Sequence, residues 1–310
     1  MKTRAIGGLR VSEVGLGCNN FGGRLDADRT ADVVHAALDA GITFFDTADA
    51  YGETRSEEYL GRALGSRRAQ VVLGTKFGMP IQGGSGGASP AYVKRALEAS
   101  LRRLGTDYVD LYQLHRPDPD VPIAETLGAL GDLVQAGKVR EIGSSNFSAD
   151  QIRNARTARP GGPRFVAVQN EYSLLKRTPE LDVLRECSER GVAFIPYFPL
   201  ASGLLTGKYH PSAPPPSGTR LTEPNSRLAS RFLNEDQLAI VGRLDSLARE
   251  RGHSPLELAF AWLLGRPPVA SVIAGATSPA QVRANAGATR WALSAADLAE
   301  IDRIVPPPRA

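Results

Sequence analysis

The sequence predicts an α/β fold, a (β/α)8 TIM barrel with an N-terminal β-hairpin cap, on three observations. Short apolar runs alternate with amphipathic helical runs along the whole chain. There are eight of each, and eight parallel strands is the number that closes a barrel. The turn after the first run reads GLGCNNFGG. Its glycine spacing is wrong for the GxGxxG turn that an open, doubly wound dinucleotide sheet requires. Length alone would suggest two domains for 310 residues. Barrels routinely use that length for one, so residues 1–310 read as a single domain.

Residues 3–13 turn at Gly7-Gly8 and read as a hairpin covering the N-terminal end of the barrel. The eight buried strands end near Gly17, Asp46, Lys76, His115, Ser145, Gln169, Tyr197 and Gly275. Helices follow over 28–40, 56–64, 90–104, 122–136, 148–159, 181–190, 236–264 and 278–287. Gly41, Gly105, Gly137 and Gly191 fall just past helix ends, where a left-handed residue stops the helix. Ser148 is placed to cap the fifth helix, with Asp150 in its first turn. Two connections stand out as candidate lids: the Gly/Ser-rich 82–89 and the long, Pro-rich 203–233. A short tail, 304–310, reads as disordered.

Composition narrows the function. Hydrophobic residues make up 42% and charged residues 23%, enough apolar material for a large core. No apolar stretch approaches the ~18 residues of a membrane span, and charges interrupt the N-terminus where a signal peptide needs an apolar run. The expectation is a cytoplasmic protein without membrane association. A net charge of +4, spread out, argues against a nucleic-acid partner. Two distant cysteines and four histidines without HxxxH spacing argue against a metal site.

In such a barrel the strand C-termini share the active-site face. Asp46, Lys76 and His115 end three successive strands, and Tyr51 lies in the loop after Asp46. The Lys76 ammonium is expected to lower the phenol pKa of Tyr51, and Asp46 to keep Lys76 charged and in place. His115 would orient a substrate oxygen. The result is a general acid aimed at a carbonyl oxygen, as reduction of C=O by hydride demands.

DTADAYGETRSEEYLG from Asp46 and LRRLGTDYVDLYQLHRPDPDVPIAETLGALGDLVQAGKVREIGSSNFS from Leu101 resemble the two signatures of the aldo-keto reductase superfamily. VAVQNEYSLL from Val166, PLASGLLTGKY from Pro199 and IAGATSPAQVRAN from Ile273 are similar to its later segments, so the resemblance spans nearly the whole chain. It implies that Tyr51, Asp46, Lys76 and His115 form the catalytic tetrad, with Tyr51 the acid, acting on a small-molecule carbonyl substrate without a required protein partner. It also implies a nicotinamide cofactor, NADP(H), with NAD possible. Gly17, Asp46 and Tyr51 would lie against it; Ser145, Asn146 and Gln169 would bind its carboxamide, and Tyr197 would stack on its ring. Leu200, Ser202, Gly203 and Leu205 would run beside the pyrophosphate, with Lys208 balancing its charge. Gly275, Ala276 and Thr277 would offer free amides at a helix start. Gln281 and Asn285 would face the ribose phosphate and adenine.

The chain departs from many NADP-preferring relatives in having no cation at Gly275, Thr277 or Gln281, with Arg283 the nearest, which weakens discrimination against NAD. The resemblance also extends to sugar-directed reductases and to redox-sensing potassium channel β-subunits. The latter often carry an N-terminal extension, whereas this chain starts almost at its hairpin. Asn20, Phe21, Phe77, Arg116 and Phe198 are expected as substrate contacts, with Arg116 suited to a carboxylate or phosphate.

Overall fold

The computed structural model describes residues 1–81, 84, 86–209, 213–223 and 227–309. Strands β1 (Thr3–Ile6) and β2 (Leu9–Ser12) pair antiparallel about Gly7-Gly8. Gly7 has φ +55, which this tight turn requires, and the Gly8 amide donates to Glu141 at 2.7 Å, tying the hairpin to the barrel.

Eight parallel strands follow: β3 (Val14–Gly17), β4 (Phe44–Asp46), β5 (Val72–Phe77), β6 (Val109–Leu114), β7 (Val139–Ser145), β8 (Ala167–Glu171), β9 (Ala193–Tyr197) and β10 (Val272–Gly275). They form one sheet in the order β10-β3-β4-β5-β6-β7-β8-β9. The last seam closes between β9 and the segment before β10, where the Phe194 amide donates to Pro268 O at 2.6 Å and Ala270 N to Phe194 O at 2.9 Å. This is the predicted barrel.

The strand period of two divides its residues between two cores. Ile6, Leu9 and Val11 of the hairpin pack with the inward-facing Phe44, Val72, Leu111, Ala167 and Ile195, so the hairpin plugs the barrel floor. The alternate residues Phe45, Leu73, Tyr112 and Val168 face outward into a larger core under the helices.

The helices are α1 (Ala27–Asp39), α2 (Arg55–Leu64), α3 (Pro90–Leu104), α4 (Ile123–Gln135), α5 (Ala149–Thr157), α6 (Val183–Arg190), α7 (Arg227–Phe232), α8 (Glu235–Glu250), α9 (Pro255–Leu264), α10 (Pro279–Gly287) and α11 (Ala295–Ile304). Ser148 caps α5 in a reciprocal capping box with Gln151. Gly105 and Gly191 end α3 and α6 in the left-handed conformation, as their positions demanded.

Three expectations change. The helix expected over 236–264 is two, because Gly252 at φ +75 and the Ser254 cap followed by Pro255 break it into α8 and α9. The 203–233 connection holds a 3-10 turn at its start and α7 near its end; residues 210–212 and 224–226 of it lie outside the described residues. Of the 82–89 loop, residues 82, 83 and 85 lie outside them too. The chain's last helix, α11, was not read from the sequence. The tail after it is partly packed, with Val305 O accepting a bond from the buried Arg177, and Ala310 lies outside the described residues. Among the described residues no helix is long and apolar enough to cross a membrane.

Candidate active site

The inward-facing register that builds the floor core also builds the site. Asp46 lies two residues beyond Phe44, Lys76 four beyond Val72, Gln113 two beyond Leu111 and Gln169 two beyond Ala167. Each therefore rises from the apolar floor into the barrel mouth. Lys76 Nζ donates to Asp46 Oδ2 at 2.6 Å and to Thr47 O at 2.8 Å, and lies 3.4 Å from the Tyr51 hydroxyl. The other Asp46 oxygen accepts from Gln113 and Gln169, each at 3.0 Å. Lys76 is wholly buried and Asp46 is 2% exposed. A pair so enclosed survives only because every charge has partners.

Burial alone would depress the Lys76 pKa, but the Asp46 carboxylate and the Tyr51 hydroxyl outweigh it and hold the ammonium above its ordinary value. For Tyr51 the balance differs from expectation. Burial pushes its hydroxyl up by more than Lys76 pulls it down, so it stays a protonated phenol at neutral pH. Lys76 therefore does not pre-ionise Tyr51.

His115 stands edge-on to Tyr51, with ring centroids 5.7 Å apart. Burial, then the charges of Lys76 and Arg116, lower its pKa to about 3, so the imidazole is neutral. Its Nδ1 is buried without a hydrogen-bond partner among the described residues. Leaving that nitrogen as the unprotonated one costs least, which puts the proton on Nε2 as a donor.

A cavity of about 670 Å³ opens above these groups, within the ~300–1,000 Å³ range of ligand pockets. Among predicted residues, Gly17, Asn20, Asp46, Tyr51, His115, Arg116, Ser145, Asn146, Gln169, Tyr197, Phe198, Leu200, Ser202, Gly203, Lys208, Gly275, Thr277, Gln281 and Asn285 line it. Asn146, at φ +62, accepts from the Tyr197 hydroxyl at 2.8 Å and donates to His115 O at 3.0 Å, tying three strand ends together. Lys76 lies beneath the lining, within reach of the Tyr51 hydroxyl.

Two expected substrate walls are corrected. Phe77 follows Lys76, so strand parity turns it outward to stack on Tyr112 at 4.6 Å, and Phe21 is fully buried in the outer core. Leu205 and Ala276, each 1% exposed, also lie behind the lining. The sequence reading missed Gln113, though it shares the parity of His115. It also missed Cys18, Arg24 and Arg220, which line the cavity from loops that carry no period.

The far arm of the cavity suits an extended anion. Ala201, Ser202 and Gly203 run in succession at φ 45, 58 and 97; the Ala201 and Gly203 amides donate to Phe198 O at 2.9 Å and Leu200 O at 2.8 Å, while the Ser202 hydroxyl is buried without a hydrogen-bond partner among the described residues. Gly203 at φ +97 takes a conformation that glycine adopts most readily, and it lies against Lys208, whose Nζ a Cβ there would meet at 2.9 Å. The Thr277 amide, expected free, donates at 2.8 Å to the Gln281 carboxamide oxygen, and Arg283 does not line the cavity.

The barrel mouth thus brings together a phenol, an ammonium–carboxylate pair and a neutral imidazole. The model of the Aldo/keto reductase family matches residues 13–306. The chain is 36% identical to the aldo-keto reductase YhdN of Bacillus subtilis (strain 168), covering 96% of this chain and 91% of that one. It is 36% identical to the aldo-keto reductase yakc [NADP(+)] of Schizosaccharomyces pombe, over 96% of this chain and 90% of the relative. A probable voltage-gated potassium channel subunit beta of Arabidopsis thaliana is 37% identical over 90% of this chain and 87% of its own. The chain belongs to the aldo/keto reductase family and is an oxidoreductase.

Proposed function

We propose that the protein reduces an aldehyde or ketone to an alcohol with NADP(H), Tyr51 acting as general acid. The observation that carries this reading is the Tyr51 hydroxyl poised 3.4 Å from a Lys76 ammonium that Asp46 fixes at 2.6 Å. When bound, the reduced nicotinamide supplies a hydride to the carbonyl carbon. The cavity fits such a cofactor: Ser145, Asn146 and Gln169 would hold its carboxamide, Tyr197 its ring face, and the unpartnered Ser202 hydroxyl with Lys208 its phosphates. Tyr51 gives its proton to the carbonyl oxygen as that oxygen gains charge, and Lys76 stabilises the phenolate left behind. His115 donates from Nε2 to the same oxygen and sets its approach.

NADP(H) is preferred over NAD(H) by a modest margin, because a relative is named for NADP(+) while no cation lines the Gly275–Gln281 segment. The likeness to channel β-subunits supports a second reading, a nicotinamide-binding sensor without turnover. The complete tetrad favours catalysis. Fluorescence titration with NADPH and NADH, followed by absorbance decay with aldehydes and ketones, separates the two. Tyr51→Phe is expected to abolish turnover and leave NADPH affinity nearly unchanged; turnover like the wild type would overturn the assignment of the acid.

A further inference from the structure

We infer that the substrate is a carbonyl compound carrying an anionic group, a carboxylate or a phosphate, and that Arg116 recognises that group. The inference rests on the reductase reading above and names its substrate class. Among the described residues the cavity lining carries four cations, Arg24, Arg116, Lys208 and Arg220, against one acid, Asp46. The Asp46 charge is already matched by Lys76 beneath it. Even with Arg24 paired to Glu223, the lining carries an excess of cations, and clefts of one sign concentrate ligands of the other.

Three of those cations come from the first βα loop and the connection after β9. Lys208 lies beside Gly203, Arg24 is paired with Glu223 at 2.6 Å, and Arg220 lies 5.5 Å from the Phe198 ring. Arg116 is next in the chain to His115, and its charge is felt by both His115 and Tyr197. Its side chain is exposed and makes no ion pair or hydrogen bond among the described residues.

The nearby acids are occupied elsewhere. Asp118, two residues on, accepts the amides of Ala88 at 2.8 Å and Asp120 at 3.0 Å. Glu171, at the end of β8, pairs with Arg231. A guanidinium kept clear of the protein's own carboxylates beside the carbonyl-orienting His115 offers its planar fork to the substrate. Carboxylate and phosphate match that fork in two-point fashion.

The test uses the full-length protein, NADPH and two matched pairs: 4-carboxybenzaldehyde with its methyl ester, and glyceraldehyde 3-phosphate with glyceraldehyde. In the wild type the charged member is expected to lead in kcat/KM by about 10–100-fold in at least one pair, mostly through KM, the scale of a charge-assisted contact. The pair with the larger ratio tells carboxylate from phosphate. Arg116→Gln should bring that ratio close to one, Arg116→Lys should keep part of it, and Arg102→Gln, a surface cation outside the cavity, should leave it unchanged. A wild-type ratio near one in both pairs overturns the inference and leaves the reductase reading standing, as does a ratio that survives Arg116→Gln. Bound NADPH with no turnover of any of the four aldehydes overturns both.

Discussion

Replacing Asp49 with asparagine should stabilise the protein at alkaline pH and not at acid pH. Asp49 lies between Asp46 and Tyr51 and is 1% exposed. Neither carboxyl oxygen meets a hydrogen-bond partner of good geometry among the described residues. Burial, reinforced by the Glu57 carboxylate and opposed by Arg103 and Lys76, raises its pKa from 3.8 to about 7. Because the folded pKa is the higher one, the native chain keeps a proton that the unfolded chain releases. The stability this group contributes is complete below about pH 4 and falls as pH rises to about 7, then stays level. The shift corresponds to about 4 kcal/mol, an upper bound because protein relaxation and water entry reduce it. Asparagine has the shape of the neutral acid and no charge to bury. Urea unfolding of wild type and Asp49→Asn at pH 5 and pH 8 isolates the effect, since the lowered carboxylates of Glu186, Glu257 and Asp297 cancel in the difference. The variant should gain at least 1 kcal/mol on the wild type between the two pH values. A difference that does not change with pH, or changes in the opposite sense, refutes the reasoning.

Two further outcomes follow from the site. Since the His115 pKa is lowered to about 3, kcat/KM for a neutral aldehyde should show no step near pH 6.5 between pH 5 and 8. A step there that vanishes in His115→Asn would contradict a neutral imidazole. The Arg24–Glu223 pair joins the first βα loop to the long loop after β9, and its partners are 29% and 43% exposed. A pair that open contributes about 0.2–1 kcal/mol, so Glu223→Gln should speed NADPH release up to about fivefold in stopped-flow fluorescence. An unchanged release rate would mean that this contact does not hold the cofactor in.

The sequence displayed the site so well because a barrel converts strand parity into position. Once Phe44 is placed inward, Asp46 must be inward too, and the same step from Leu111 reaches Gln113. The same rule excludes Phe77, which neighbours Lys76 and so faces the helices. Parity was available for both residues and settles them without reference to residue type. Arg24 and Arg220 obey no such rule, since they sit in loops whose paths depend on contacts distant in sequence, such as Arg24 with Glu223. The break between α8 and α9 was locally legible, in Gly252, Ser254 and Pro255, but the apolar period runs on across it and masked the cap.

On the proposed mechanism the site also gives a reason for the acid to be a tyrosine beside a lysine. A proton donor is effective when giving up its proton is costly before the reaction and cheap during it. Burial supplies the first condition by holding the Tyr51 hydroxyl protonated in spite of a neighbouring ammonium. That ammonium supplies the second, because it is already charged, already aimed and already fixed by Asp46, so nothing need reorganise when the phenolate appears. Gln113 and Gln169 belong to the same device. By satisfying the second Asp46 oxygen they hold the carboxylate in place in a layer that lies directly above an apolar floor. On the same mechanism, removing either amide would leave a buried lone pair unpaired and loosen the grip on Lys76, so the two glutamines would act on the reaction through Asp46.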